Sequence, residues 1–273
     1  MKPKFIYSPP ENGYPEWNNN PDIFQLNRLD AHSYQMPFDT LDEALNLQHE
    51  QSKHYKCLNG MWDFEFAENP EKTNKDFYKP DYDTSSWAKI KVPSHWQFQG
   101  YDYPQYTNTV YPWTADDKID PPFAPTNYNP VGSYKTVFTV PDEWKDSPVY
   151  ISFQGVESAF YVWINGDLVG YSEDTFNASE FDITPYLQDG ENILAVQVYR
   201  WCSGSWLEDQ DFWRLSGIFR DVYIYSTPKT HIFNFKAIAT LDDEYNNGIL
   251  TVSADITDYD DNPVNNFSVS AML

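Results

Sequence analysis

Phe160-Tyr161-Val162-Trp163-Ile164-Asn165-Gly166-Asp167-Leu168-Val169 is the stretch whose reading decides the fold. Phe160, Val162 and Ile164 recur at every second position, the period of a β-strand. Asn165-Gly166 supplies the two residues that tolerate positive φ in a tight type I′ hairpin. Leu168-Val169 then resumes the return strand. Downstream, Phe181 to Leu187 reads as a connector, and Gly190-Glu191-Asn192 turns the chain into Ile193–Arg200, where Leu194, Val196 and Val198 alternate. Ile218 to Tyr225 reads as one more strand. Upstream the same period runs through Val149, Ile151 and Phe153, through Tyr134, Thr136, Phe138 and Val140, and through Trp62, Phe64 and Phe66 within Leu58–Phe66. Between them lies a long, Pro- and aromatic-rich loop region, 67–131, with a short strand candidate at Lys89–Val92. Many short strands punctuated by turns predict an all-β fold, a jelly-roll antiparallel sandwich of two sheets.

The flanks read differently. Residues 1–55 are polar and carry Pro9, Pro10, Pro15, Pro21 and Pro37, which marks an extended arm that wraps something else. One helix is predicted near Thr40 to Gln51, where Leu41, Ala44, Leu45 and Leu47 recur at helical spacing. Thr227-Pro228-Lys229 reads as a linker. His231–Leu241, Gly248–Tyr259 and Phe267–Met272 are further strand candidates, fewer than the roughly seven of an immunoglobulin-like sandwich. The predicted organisation is an arm over 1–55, a jelly roll over 56–226, and the start of an immunoglobulin-like β-sandwich, cut short, over 227–273.

Composition narrows the partners. Among 273 residues there are 10 Trp, 21 Tyr and 18 Phe, and 41 acidic residues against 18 basic ones give a net charge of −23. A nucleic-acid or anionic-membrane partner needs a basic footprint, which this chain lacks. Flat aromatic faces suit sugar rings, although most aromatics in any chain serve the core. Cys57 and Cys202 show no metal or redox spacing and read as free thiols. Residues 1–20 lack the apolar core of a secretory signal, and no stretch is long and apolar enough to span a membrane, so the expected location is cytoplasmic. The sequons at Asn177 and Asn266 then read as chance.

The densest chemistry lies in Trp201-Cys202-Ser203-Gly204-Ser205-Trp206-Leu207-Glu208-Asp209-Gln210-Asp211-Phe212-Trp213-Arg214. Carboxylates accept paired hydrogen bonds from sugar hydroxyls, aromatics pack on the ring, and the same oxygens can ligate a hard cation. The bland alternative is a solvated Glu208-Asp209 face with Arg214 neutralising Asp211. A glycosidase needs two carboxyls on opposite sides of the scissile bond, about 5–5.5 Å apart for retention and about 6.5–9.5 Å for inversion. Near neighbours in one loop rarely meet that demand. A second constellation runs from Pro93-Ser94-His95-Trp96-Gln97 to Tyr111-Pro112. His95 has no nucleophile beside it and reads as a packed loop histidine. Asn108 is the better ligand, because its amide both donates and accepts as a hydroxyl requires; its alternative is a turn-forming role. No zinc, EF-hand, dinucleotide, P-loop or serine-hydrolase motif occurs.

Leu207-Glu208-Asp209-Gln210-Asp211-Phe212-Trp213-Arg214-Leu215-Ser216-Gly217-Ile218-Phe219-Arg220-Asp221-Val222 resembles the N-terminal signature of the glycoside hydrolase family 2 β-galactosidases. So do Pro93-Ser94-His95-Trp96-Gln97, Tyr106-Thr107-Asn108 with Tyr111-Pro112, and Gln25-Leu26-Asn27-Arg28-Leu29. The resemblance implies a galactose-binding-like jelly roll, then an immunoglobulin-like domain, then a (β/α)₈ barrel beyond Leu273 that carries the two glutamates of a retaining mechanism. It implies no catalytic residue in this chain. Asp211 would contact the galactosyl group and a sodium ion, Asn108 would hydrogen-bond galactosyl hydroxyls, and active-site magnesium ligands would belong to the barrel. Relatives carry Asp where this chain has Ser203, a position of a peripheral magnesium site, and Val where it has Thr109, in the substrate pocket. The arm resembles a segment that stabilises an oligomer interface, which implies a homo-oligomer or a partner subunit. The expected activity is hydrolysis of terminal β-galactosides such as lactose. A stand-alone carbohydrate-binding module, or a scaffold that packs on a partner, would look alike over these residues; a reading frame continuing into a (β/α)₈ pattern separates them.

Overall fold

The computed structural model describes residues 2–46, 48–208, 211–264 and 267–272. In chain order its first strands are β1 (Gln25–Leu26), β2 (Tyr55–Cys57), β3 (Gly60–Ala67), β4 (Ala88–Val92), β5 (Gln105–Thr107) and β6 (Val131–Thr139). Then come β7 (Val149–Phe153), β8 (Val156–Glu157), β9 (Ala159–Ile164), β10 (Asp167–Ser172), β11 (Ser179–Asp182) and β12 (Glu191–Tyr199). The last are β13 (Phe212–Arg214), β14 (Gly217–Ile218), β15 (Val222–Ser226), β16 (Thr230–Leu241) and β17 (Gly248–Asp258). A seven-stranded sheet in the order β1-β10-β9-β12-β6-β3-β4 faces a four-stranded sheet, β11-β7-β15-β2, and every pairing is antiparallel. This is the all-β jelly-roll sandwich that the strand periods predict.

The hairpin at its centre forms as the sequence dictates. Asn165 takes φ 53° and Gly166 φ 89°, so β9 turns directly into β10. β9 then pairs with β12, placing Val162 opposite Val196 and Ile164 opposite Leu194. Their inward side chains, with Phe160 and Val198, join Ile151 and Phe153 of β7 and Val222 and Ile224 of β15 in one buried core between the sheets. Burying each such side chain contributes roughly 1.5–3 kcal/mol.

The outer face of the large sheet is also covered. Tyr161, Tyr171 and Tyr199 form a second buried cluster with Trp17 of the arm, whose ring stacks on Tyr199 at 5.1 Å. Tyr161 donates its hydroxyl hydrogen bond to the buried Glu16 carboxylate. The arm continues as β1 along β10, and Leu29 N–H donates to the Glu180 carbonyl at 2.8 Å. Over residues 16–29, what the arm wraps is this chain's own sandwich.

The predicted helix is shorter than its leucine spacing suggests. Helix α1 spans Leu41–Leu45, started by a Thr40/Glu43 capping box, and His49–Gln51 form a separate 3₁₀ turn. No residue of α1 is buried, so no packed face extends it; Leu47 lies outside the described residues. The Phe181–Leu187 connector contains the second half of β11 and a 3₁₀ turn, Thr184–Tyr186. The Ile218–Tyr225 strand divides into β14 and β15, and the intervening backbone bonds to the Gly155 turn instead: Phe219 and Arg220 N–H donate to the Gly155 carbonyl at 3.1 and 3.4 Å, and the Asp221 carbonyl accepts from Gln154 N–H at 3.0 Å. β16 and β17 pair as a hairpin, and Phe267–Met272 is not in a strand.

Candidate functional site

The loop that carries the candidate residues is presented by a two-stranded ribbon at the end of the sandwich. β5 pairs with β13, Thr107 opposite Phe212, Tyr106 opposite Trp213 and Gln105 opposite Arg214. Asn108 is the next residue beyond Thr107, and Asp211 the next before Phe212. The register therefore carries the two predicted ligands to the same open end of the ribbon. Both are exposed. Tyr106 donates its hydroxyl hydrogen bond to Asp211 Oδ1, and its ring lies 5.6 Å from that of Trp213. The Thr107 hydroxyl donates to the Val110 carbonyl, closing the turn that holds Asn108 and Thr109.

The rings of the Trp201–Arg214 run divide between two jobs. Trp201 is buried, and with Trp206 it packs on Trp113 at 5.3 and 4.9 Å. Trp206 is tied further by its indole N–H to the Phe123 carbonyl at 2.8 Å. Phe212 and Trp213, in contrast, are about half exposed, at 50 % and 56 %, as is Tyr106 at 48 %. The ribbon thus carries flat apolar faces beside a carboxylate and an amide, the donor set expected of a pyranose contact.

A buried ionic hub fixes the base of β5. The Arg200 guanidinium pairs with Asp102 in the interior, and Asp102 also accepts from Tyr128 OH at 2.6 Å, Gln97 Nε2 at 3.1 Å and Trp96 Nε1 at 3.3 Å. Arg200 reaches on to Gln105 Oε1 at 3.2 Å, the first residue of β5. A buried pair of this kind is stabilising only when its remaining valences are satisfied; here the carboxylate is surrounded by donors, while Arg200 Nε is buried without a hydrogen-bond partner. Asp102 takes φ 57°, a left-handed conformation that aspartate tolerates. Sequence reasoning passed over Asp102, Tyr106 and Arg200 as ligand supports. The left-handed bend is legible after the fact in Gly100-Tyr101-Asp102, but the ion pair joins residues too far apart to read.

Glu208 is directed inward. Its carboxyl is pushed up to about 7, first by burial, against a hydrogen bond from Thr175. Below it, Glu157 on β8 is pushed up to about 8, first by burial and then by the Glu208 charge, with Arg214 and Arg200 as partial offsets. Arg214 donates to the Glu208 carbonyl at 2.7 Å. Glu208 is therefore structural support rather than a solvated face; Asp209, its neighbour in that expectation, lies outside the described residues. His95 stacks on Phe219 at 4.8 Å, and burial lowers its pKa, as a packed loop histidine should behave. Ser203 is buried and bound to the Trp17 carbonyl through its N–H at 2.8 Å and its hydroxyl at 3.4 Å, offering no carboxylate to a peripheral cation. Cys57 and Cys202 are free thiols. No helix is long and apolar enough to cross a membrane among the described residues.

The family model described as the sugar binding domain of the glycosyl hydrolases family 2 matches residues 55–228. The chain belongs to glycoside hydrolase family 2. That match spans the sandwich from β2 to β15 and includes the ribbon with Asn108 and Asp211. Among its family 2 relatives, a β-galactosidase of Priestia megaterium is 60% identical over 270 residues, covering 99% of this chain and 26% of that protein. A β-galactosidase of Clostridium acetobutylicum is 52% identical over 86% of the chain and 26% of its own length. A β-galactosidase large subunit of Leuconostoc lactis is 40% identical over 89% of the chain and 40% of its own length. The chain thus spans about a quarter of the length of the first two relatives. Among solved structures, a β-glucuronidase of Bifidobacterium dentium superposes with a TM-score of 0.56 at 18% identity, over 76% of this chain and 36% of that one, a likeness of fold.

Proposed function

We propose that this chain is the N-terminal sugar-binding part of a β-galactosidase that hydrolyses terminal non-reducing β-D-galactosides such as lactose with retention. The observation that carries the reading is the ribbon register that sets Asn108 beside Asp211 at an exposed end flanked by Tyr106 and Trp213. The identity to β-galactosidases supports it. In this reading the ribbon is one wall of an active site. Asn108 and Asp211 hold the galactosyl hydroxyls, and the catalytic glutamates and magnesium ligands belong to a downstream barrel. Asp211 suits sodium as one hard oxygen donor. No group of three His, Cys, Asp or Glu residues that could hold a metal occurs among the described residues. The β16–β17 hairpin is the start of an immunoglobulin-like domain, and the exposed tip of the arm is the surface for a second copy or a partner subunit in the cytoplasm.

The test is made in the whole enzyme. Asp211→Ala removes a charged contact worth about 1.5–3 kcal/mol, so kcat/KM for lactose should fall roughly 10- to 150-fold and the response to sodium should be lost. Asn108→Ala should lower it about fivefold, the value of a neutral hydrogen bond. Unchanged kinetics and sodium response in Asp211→Ala would refute the reading.

A further inference from the structure

We propose that Tyr106 is a positioning residue for Asp211, holding that carboxylate in its sugar- and cation-accepting orientation from across the ribbon. The inference rests on the reading of Asp211 as a galactosyl contact and adds a residue to it.

Asp211 is exposed, and the carboxylate of an exposed aspartate ordinarily samples several rotamers. Here one of its oxygens is engaged by the Tyr106 hydroxyl. The strands fix this contact, because Tyr106 lies opposite Trp213, two residues from Asp211, and the rings of Tyr106 and Trp213 pack at 5.6 Å. Tyr106 is itself fixed. Its neighbour Gln105 accepts from the buried Arg200 guanidinium at 3.2 Å and donates to the Pro112 carbonyl at 2.7 Å. The chain of support runs from the Asp102–Arg200 pair in the core, through Gln105, to Tyr106 and then Asp211. A hydroxyl that donates to Oδ1 leaves Oδ2 free of described partners for a sugar hydroxyl or a sodium ion. It also limits the rotamers the exposed carboxylate can sample. Pre-organisation of this kind lowers the entropic cost of binding without adding a contact to the ligand.

Steady-state kinetics of the whole enzyme, with lactose and sodium titrated separately, decide the matter. Tyr106→Phe keeps the ring against Trp213 and removes the hydroxyl. It should raise KM for lactose and the half-saturating sodium concentration about five- to tenfold, with kcat falling less. Tyr106→Gln, which restores a donor without the ring, should recover part of the loss. In the double variant with Asp211→Asn, the Tyr106→Phe effect should vanish, since the two act as a unit. If Asp211→Asn weakens lactose and sodium binding while Tyr106→Phe leaves both unchanged, the positioning role is overturned and the galactosyl reading stands. If Asp211→Asn itself changes nothing, the reading falls and the positioning role with it. Circular dichroism separates a folding defect from these outcomes, and Gln105→Leu, which severs the Arg200 tether without touching Tyr106, should shift the same constants in the same direction.

Discussion

Glu157 shows what a single buried carboxyl does to this domain. It is 8 % exposed on β8, and burial beside Glu208 moves its pKa from 4.5 to about 8. Between those values the unfolded chain has released the proton and the native domain keeps it. The native state therefore binds more protons, and stability falls as pH rises through the window; above about pH 8 the loss is complete. Glu208, pushed up to about 7, acts in the same direction over a narrower range. Glu157→Gln keeps the shape and removes the ionisation. Urea unfolding at pH 5, 6.5 and 8 should show a flatter pH dependence than the parent, with a gain of about 1–3 kcal/mol at pH 8. Parallel curves for parent and variant would place the burden elsewhere, on Glu173, whose carboxyl is also raised by burial.

At the scale of elements, β10 shows where arm and sheet depend on each other. A Cβ at Gly170 would lie 2.4 Å from the Leu26 carbonyl oxygen and 2.6 Å from the Phe181 ring. Neither backbone nor core ring can yield cheaply, so Gly170→Val should destabilise the domain by about 1–3 kcal/mol and detach β1. Hydrogen exchange checks this: the amides of the β1–β10 pairing should lose protection before those of β9 and β12. Strands of this kind were unevenly legible. β6, β7, β9 and β12 declare themselves because their inward residues alternate. β9 also hides something, since Tyr161 and Trp163 on its other face meet the arm and Tyr78 rather than water, and an aromatic–aliphatic alternation does not say which face is covered. β1 has two residues and β11 four, with Phe181 its one core side chain, so neither is long enough to show a period. Their existence depends on partners far along the chain.

For the whole molecule, the site was legible in its parts and not in its assembly. Asn108 and Asp211 could be named from chemistry and resemblance, but the ribbon that joins them, and the Arg200–Asp102 hub beneath it across 98 residues of sequence, arise from tertiary packing alone. The same assembly bears on the proposed division of labour between this domain and a downstream catalytic part. Glycoside hydrolysis requires two carboxyls facing a bond from either side, at about 5–5.5 Å for retention. Of the described carboxylates in the loop, Asp211 is exposed and Glu208 is directed inward, its pKa raised first by burial. Asn108 opposite Asp211 can orient a hydroxyl, but its amide is neither an acid nor a base for proton transfer. Among the described residues, an acid and a nucleophile are therefore not presented together at the ribbon. Purified 273-residue chain should give no turnover of a chromogenic β-galactoside above a no-protein control. Product release that tracks this chain through chromatography, with host enzyme excluded, would mean that a second carboxyl reaches Asp211 after all. Adding the purified remainder of the enzyme should then restore activity in the predicted case, and Asp211→Ala in the added chain should weaken that restoration.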